Sequence, residues 1–111
     1  FNEDGVDFSL RPHRTSLSAT TKSVQRKYFS GQDLPLTEGI TLGIAQIMES
    51  KTVIVIANGK KKAEIVAEAI LGPVTNRVPA SVLQEHPNCI YLLDDEAASL
   101  LPADLPGLQK I

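Results

Sequence analysis

The second half of the chain has the most regular pattern, with short apolar runs separated by an amphipathic segment. The runs Val53–Ala57 and Cys89–Leu93 have the length and composition of strands that are buried on both faces of a parallel sheet. Between them, residues 60–71 carry apolar side chains at helical spacing and end at Gly72 and Pro73, which predicts a helix with a C-terminal stop.

Weaker signals predict further helices in the same half of the chain. Apolar side chains recur at helical spacing at Ile40, Ile44, Ile47 and Met48, and Thr41 is a candidate N-cap just inside this run. Residues 80–85 follow a proline that suits a first helical position, and residues 96–101 follow two aspartates that can cap a helix.

The first third is more polar. Residues 14–18 favour a short strand, and Thr20-Thr21 is a candidate N-cap for a helix over residues 22–29. Helices alternating with strands at this spacing predict an α/β fold with a parallel sheet.

Composition narrows the class of protein. A chain of 111 residues fits one domain, and 42% hydrophobic with 22% charged residues is typical of an ordered globular protein. A net charge of -2 argues against a nucleic-acid partner. Val53–Ala57, the longest apolar run, is far short of the roughly 20 residues that span a bilayer, so no membrane partner is expected. The single cysteine, Cys89, excludes an intrachain disulfide and suits a reducing, cytoplasmic location.

The start of the chain is unusual for a cytoplasmic protein. It begins Phe1-Asn2-Glu3, with neither Met nor a cleavable leader. We therefore expect residues 1–111 to be a fragment or a cleaved chain.

The turn that follows the first apolar run is the best candidate for chemistry. Open α/β sheets bind ligands at the carboxyl ends of their strands, and here Gly59 is followed by lysines 60–62 at a helix N-terminus. Free N–H groups of a first helical turn favour an anion, so a bound phosphate would explain cations at this end of a helix. Solvated lysines are an equally good interpretation.

Other polar residues give weaker indications. The acidic run 94–96 suits acid–base or metal chemistry, although helix capping explains it better. His13 and His86 lack a metal-ligand spacing and are interpreted as structural or solvated. Cys89 is interpreted as an inert core thiol.

Several segments, taken in order, resemble the glucosamine-6-phosphate deaminase family. They are Phe1-Asn2-Glu3 with Gly5, Ile40-Thr41-Leu42-Gly43-Ile44, Gly59-x-x-Lys62-Ala63, Gly72-Pro73-Val74-Thr75, and the stretch from Pro79-Ala80-Ser81 to His86-Pro87-Asn88. The match runs from Phe1 to about Leu101 and covers only the C-terminal part of such an enzyme. It implies a Rossmann-like three-layer sandwich, of which residues 1–111 supply the C-terminal portion.

The resemblance implies an enzyme that converts an amino-sugar 6-phosphate to fructose 6-phosphate and releases ammonia. Glu3 matches the family glutamate that hydrogen-bonds the ring-opening histidine, and Lys62 matches a lysine on the substrate phosphate. Lys27 stands where the family usually has an arginine on that phosphate, and it keeps the charge but not the bidentate geometry. The histidine and the proton-abstracting aspartate match positions before Phe1. No cofactor and no metal are implied.

Two departures from the family pattern are visible. Asp4 replaces the proline that commonly follows Asn-Glu. The positions that bind an activator phosphate in allosteric members read Val6 and residues 13–16 here, which removes most of the basic and polar contacts. The resemblance therefore gives little support for an allosteric site, and whether one is retained stays open.

Alternatives stay open at this point. The runner-up is a non-enzymatic sugar-phosphate-sensing domain of a transcriptional regulator with the same fold, and a lactonase of that fold is a third option. Glu3 favours the enzyme, because a sensor has no need of a carboxylate that orients a histidine. Glucosamine 6-phosphate and galactosamine 6-phosphate are alternative substrates. The expected partners are the missing N-terminal half and further copies in a homo-oligomer, and the chain alone is expected to be inactive and poorly stable.

Overall fold

The structure is a computed structural model, and it describes residues 2–25 and 37–109. Mixed α/β architecture is confirmed, with one small parallel sheet and one small antiparallel sheet. In chain order the elements are β1 (His13–Ser16), α1 (Ala19–Gln25), β2 (Glu38–Thr41), α2 (Ile44–Glu49), β3 (Val53–Ala57), a 3₁₀ turn (Lys60–Lys62), α3 (Ala63–Leu71), a 3₁₀ helix (Pro79–Glu85) and β4 (Cys89–Leu93).

Strands β3 and β4 form the parallel sheet, as the apolar runs predict. They pair in register from Val53 opposite Cys89 to Ala57 opposite Leu93. Because parallel neighbours need a crossover connection, α3 and the 3₁₀ helix fill the chain between the strands. These two helical elements pack against each other, and they contribute most of the buried apolar side chains: Ala63, Val66, Ala69, Val82 and Leu83.

One face of this sheet is uncovered within the described chain, which corrects the prediction that both strands are buried on both faces. Alternate residues of each strand are half-buried, whereas those between them are exposed. The exposed side chains are Ile54, Ile56, Ile90 and Leu92, with 57%, 76%, 45% and 46% of their surface accessible. Apolar strand faces of this kind are ordinarily covered by helices in parallel sheets.

The first sheet pairs β1 with β2 in antiparallel register, from His13 opposite Thr41 to Ser16 opposite Glu38. The prediction of a helix from Ile40 onward is wrong at its start, because Ile40 lies in β2 with 75% of its surface exposed. Helix α2 begins only after Gly43, so Thr41 is not its N-cap. The β-branched pair at 40–41 suits a strand, and this preference outweighs the helical spacing.

Helix α1 also begins earlier than predicted. The backbone N–H of Thr21 donates to the Ser18 hydroxyl (3.2 Å), so Ser18 rather than Thr20-Thr21 caps the helix that starts at Ala19. The predicted helix over residues 22–29 is described only as far as Gln25, and its remainder lies outside the described residues.

Residues 96–101 form successive turns instead of the predicted helix. The Asp94 carboxylate accepts the N–H of Ala97 (2.7 Å), so a cap is present, but the backbone closes turns such as Leu101 N–H to Ala98 C=O (2.9 Å) and continues no further. Helices are confirmed after Gly59 and Pro79, although the first opens with a 3₁₀ turn and the second is 3₁₀ throughout. None of the helices within residues 2–25 and 37–109 is long and apolar enough to cross a membrane.

Hydrogen bonds connect the β1–β2 region with the β3–β4 region. The N–H of Gly5 donates to Asn76 C=O (2.7 Å), and His86 Nε2 donates to Ser50 C=O (2.8 Å). Just before the two parallel strands, Asn88 Nδ2 donates to the Thr52 hydroxyl (2.8 Å). The first two bonds therefore join segments that flank the two sheets, and the third holds the starts of β3 and β4 together.

Gly43 is the position where the fold tolerates no side chain. A Cβ placed there would lie 1.8 Å from the backbone oxygen of Leu10, a backbone atom that cannot move without displacing its loop. We expect Gly43→Ala to destabilise the chain by about 1–3 kcal/mol, which raises the rate of native-state proteolysis by roughly five- to a hundredfold. Gln46→Glu, which keeps the oxygen that accepts the Gly43 N–H, is the control and should change the rate little. Equal cleavage rates for Gly43→Ala and the parent would show that Leu10 does not press on this position.

Candidate functional site

The turn at the end of β3 has a conformation that only glycine adopts easily. Gly59 has a φ of 89°, in the left-handed region, and it links Asn58 to the 3₁₀ turn of Lys60–Lys62. The N–H of Lys62 donates to Gly59 C=O (3.1 Å), and the N–H of Ala63 donates to Lys60 C=O. The glycine thus sets the path by which the chain enters α3.

The Asp94 side chain forms hydrogen bonds with this turn. The Gly59 N–H points at the Asp94 carboxylate, at 3.1 Å from Oδ1 and 3.0 Å from Oδ2. One N–H group that the sequence predicts to be free for phosphate is therefore already taken by an internal anion. Capping, the preferred interpretation of the acidic run, is confirmed for Asp94, because Oδ1 also accepts the Ala97 N–H.

The lysines of the turn are exposed. Ion pairs within the described ranges involve Arg11, Arg14 and Arg77, and none of those pairs includes Lys62. Its ammonium group therefore lies at the carboxyl end of the sheet without a carboxylate partner among the described residues. Such an exposed cation beside a helix N-terminus is suited to an anionic ligand.

Glu3 is held by the start of α1. The Thr21 hydroxyl donates to Glu3 Oε1 (2.8 Å), and the Ser18 N–H donates to the same oxygen at 3.3 Å. The Ser18 hydroxyl in turn donates to Thr21 Oγ1 (3.0 Å), so the cap of α1 and the carboxylate form one chain of hydrogen bonds. Both contacts end on Oε1, and in the described part of the chain Oε2 accepts none, which leaves that oxygen for another donor.

The loop that carries Glu3 is fixed on its other side as well. Asp4, the departure from the family pattern, lies 3.7 Å from the Arg77 guanidinium. Gly5 has a φ of 82° and donates its N–H to Asn76. These contacts join the Glu3 loop to the segment between α3 and the 3₁₀ helix, so the acidic residue at position 4 has a partner of opposite charge.

The histidines are engaged in structural contacts. Asn88 N–H donates to Nδ1 of the buried His86 (3.0 Å), whose Nε2 donates to Ser50. His13 Nδ1 contacts Arg11 C=O at 2.7 Å. No group of three or more His, Cys, Asp or Glu side chains with metal-binding geometry occurs within the described residues.

The candidate residues remain separate within the described structure. Glu3 lies by α1 and Lys62 by the β3–α3 turn, and no hydrogen bond or ion pair between described residues joins them. Lys27 lies outside the described residues.

Sequence reasoning missed the Ser18–Thr21–Glu3 chain of hydrogen bonds and the Asp94–Gly59 contact. The Ser18-x-x-Thr21 spacing was a signal for the former, but nothing in the local sequence joins positions 59 and 94.

Comparison with known proteins identifies the family. Residues 3–91 match the model of the family described as glucosamine-6-phosphate isomerases/6-phosphogluconolactonase. The chain belongs to this family. The matched segment contains both Glu3 and Lys62, together with the loops that hold them.

Curated relatives in this family share much of the sequence. The glucosamine-6-phosphate deaminase of Streptococcus uberis is 44% identical over 101 residues, an alignment that spans 91% of this chain and 43% of the relative. The enzyme of the same name from Exiguobacterium sibiricum is 41% identical over 102 residues, with 91% and 40% covered. The chain therefore spans about two fifths of the length of these family members.

A solved structure supports the same family at the level of the fold. A monomeric glucosamine-6-phosphate deaminase superposes with a TM-score of 0.83 and 37% identity, over 90% of this chain and 42% of that protein. That relative is monomeric, so membership of the family does not by itself imply a homo-oligomer, and the expected homo-oligomer stays a prediction for this chain.

The thiol and phenol of β4 lie outside this candidate site. Cys89 and Tyr91 share one face of the strand, and the Tyr91 hydroxyl is buried with no hydrogen-bond partner among the described residues. Burial is the main cause that raises the pKa of Tyr91 to about 12, with a smaller contribution from Cys89. Burial likewise raises the pKa of the Cys89 thiol, which agrees with an inert cysteine.

The raised pKa of Tyr91 predicts a loss of stability in alkali. Unfolded tyrosine loses its proton near pH 10.0, whereas the folded chain resists ionisation until about pH 12. The contribution of Tyr91 to the free energy of unfolding is therefore fully present below pH 10 and declines as the pH rises toward 12. In urea denaturation at several pH values, Tyr91→Phe should flatten the decline above pH 10 and leave the slope at pH 8–9 unchanged. The same alkaline slope in both proteins would contradict the assignment to Tyr91.

Proposed function

We propose that residues 1–111 form the C-terminal portion of an amino-sugar-6-phosphate deaminase, which converts glucosamine 6-phosphate to fructose 6-phosphate and ammonia in the cytoplasm. The observation that carries the proposal is the turn from Gly59 to Lys62 at the end of β3. In a member of this family, this turn places Lys62, which has no carboxylate partner among the described residues, at the carboxyl edge of a parallel sheet, where α/β enzymes bind their ligands.

The fold we propose for the complete enzyme is a Rossmann-like three-layer sandwich. Helix α3 and the 3₁₀ helix supply part of one outer layer, and β3 and β4 supply part of the sheet. The exposed face that includes Ile54 and Ile56 is the surface on which the other outer layer packs, since apolar parallel strands need cover on both faces. The portion of the relatives that this chain does not span, the N-terminal half, is the partner that supplies it.

Lys62 binds the substrate phosphate in this proposal. A sugar phosphate bears close to two negative charges, and an exposed lysine at a helix N-terminus offers a charge-assisted hydrogen bond to it. Lys27 is the second cation in the proposed site. Its compact charge attracts the phosphate without the fork geometry of an arginine.

Glu3 acts on the ring-opening histidine, which the N-terminal half provides. The bonds from Thr21 and Ser18 hold Oε1, so the carboxylate is fixed in direction, while Oε2 stays available for an imidazole N–H. A carboxylate placed in this way fixes the tautomer of the histidine and stabilises its charged form when it takes a proton. Glu3 therefore contributes to turnover more than to binding.

A chimera tests the whole proposal. Residues 1–111 replace the matching segment of the Streptococcus uberis deaminase, and ammonia release and fructose 6-phosphate formation are measured with glucosamine 6-phosphate and galactosamine 6-phosphate. We expect turnover of an amino-sugar 6-phosphate by the chimera and none by the 111-residue chain alone. A folded chimera that binds the sugar phosphate without releasing ammonia would contradict the enzyme and favour a sugar-phosphate sensor.

Replacement of Lys62 tests the phosphate contact. In the chimera, Lys62→Ala should raise KM by about ten- to a hundredfold, because a charge-assisted contact contributes roughly 1.5–3 kcal/mol. The neighbouring Lys61→Ala removes an equal charge from the same turn and should raise KM far less. Equal effects of the two substitutions on KM would indicate a diffuse charge effect instead of a specific contact.

Replacement of Glu3 tests the assignment to turnover. Glu3→Gln keeps an oxygen for Thr21 and Ser18 but removes the charge, so it should lower kcat by about ten- to a hundredfold with little change in KM. The pH dependence of kcat should also change shape. Asp4→Asn, which removes the adjacent charge, is the control and should keep the parental pH profile. A parental kcat and pH profile in Glu3→Gln would mean that Glu3 is only structural.

A further inference from the structure

We propose that Asp94 is a positioning residue for Lys62, which it holds in place through the Gly59 turn. The inference rests on the proposed binding of a sugar phosphate by Lys62. Asp94 directly follows β4 and lies thirty-five residues further along the chain than Gly59. It touches the turn and not the proposed ligand.

Two hydrogen-bond steps lead from Asp94 to Lys62. The carboxylate accepts the Gly59 N–H with both oxygens, at 3.1 and 3.0 Å, and the C=O of the same glycine accepts the Lys62 N–H at 3.1 Å. Both polar groups of the Gly59 backbone are thus used, one toward Asp94 and one toward Lys62. Because Gly59 has no Cβ and a left-handed φ of 89°, its intrinsic freedom is large, and these bonds restrict it.

Asp94 is itself well anchored. Its Oδ1 also accepts the N–H of Ala97 (2.7 Å), a residue with no exposed surface, and its C=O accepts the N–H of Ala98 (3.0 Å). The parallel register places Ala57 opposite Leu93, so the residues that follow each strand emerge side by side. A side chain fixed to β4 therefore sets the position of a turn that follows β3.

The choice of a carboxylate also shapes the electrostatics of the turn. Asp94 covers the Gly59 N–H, so a phosphate approaching the turn meets the ammonium group of Lys62 and not that backbone donor. A fixed anion also repels a phosphate from its own side of the turn. Asp94 therefore directs the anion toward α3 as well as fixing the backbone.

Kinetics of the active chimera separate positioning from general stability. Asp94→Ala should raise KM about three- to tenfold and change kcat less than twofold. This increase in KM is smaller than the one expected for Lys62→Ala. Asp94→Asn keeps one oxygen for the turn and should fall between Asp94→Ala and the parent. Because Asp94 acts through Lys62, adding Asp94→Ala to Lys62→Ala should raise KM no further. Thr52→Ala, which removes the Asn88 contact at the opposite end of the same strands, should lower stability without raising KM.

Hydrogen–deuterium exchange provides a readout that does not depend on turnover. In Asp94→Ala, the Gly59 and Lys62 amides should exchange about tenfold faster, while amides in the middle of β3 keep the parental rate. Unchanged exchange at both amides, an unchanged KM, or an Asp94 effect on KM that persists in full without Lys62 would each overturn the inference. A chimera that lacks activity but shows the faster exchange would contradict the proposed function and leave the positioning by Asp94 supported.

Discussion

The parallel pairing of β3 and β4 is the constraint on which the rest of the structure depends. Pairing in register brings the residues after Ala57 and after Leu93 to the same edge, and the Asp94 carboxylate reaches Gly59 there. The same pairing requires a crossover, which α3 and the 3₁₀ helix provide, and their contact forms most of the buried core. The position of the candidate site and the formation of the buried core therefore both depend on the pairing of β3 with β4.

That pairing also explains what the chain lacks. Within the described residues, two strands with helices on one side leave the opposite face uncovered, and the exposed isoleucines and leucines of this face are apolar surface that those residues do not bury. Several of the buried side chains are alanines, which gain little from burial, so the core of this segment is small for its length. Both features fit a chain that spans about two fifths of the relatives it matches.

The sequence predicts the elements that depend on local pattern and misses those that depend on distant partners. The runs Val53–Ala57 and Cys89–Leu93 and the helix after Gly59 follow from apolar periodicity, and all are present. Ile40 fits a helical period, but it is β-branched and pairs with Arg14 in β1, and the local sequence does not identify that partner. Residues 96–101 are capped by Asp94 but form turns, because an N-cap alone does not ensure that the following residues continue as a helix.

The candidate site divides in the same way. Lys62 is a candidate from sequence because a glycine and lysines directly after a strand form a local pattern, whereas the contact of Asp94 with Gly59 becomes visible only when β4 is placed beside β3. Glu3 is similar: its identity comes from a motif, and its orientation comes from the cap of α1. In both cases a motif supplies the charged group, and residues elsewhere in the chain contact the segment that carries it: Thr21 and Ser18 contact the Glu3 carboxylate, and Asp94 contacts the Gly59 backbone of the turn that leads to Lys62. Since binding and catalysis both depend on how a charged group is oriented, these distant contacts matter to the candidate site as much as the motifs do.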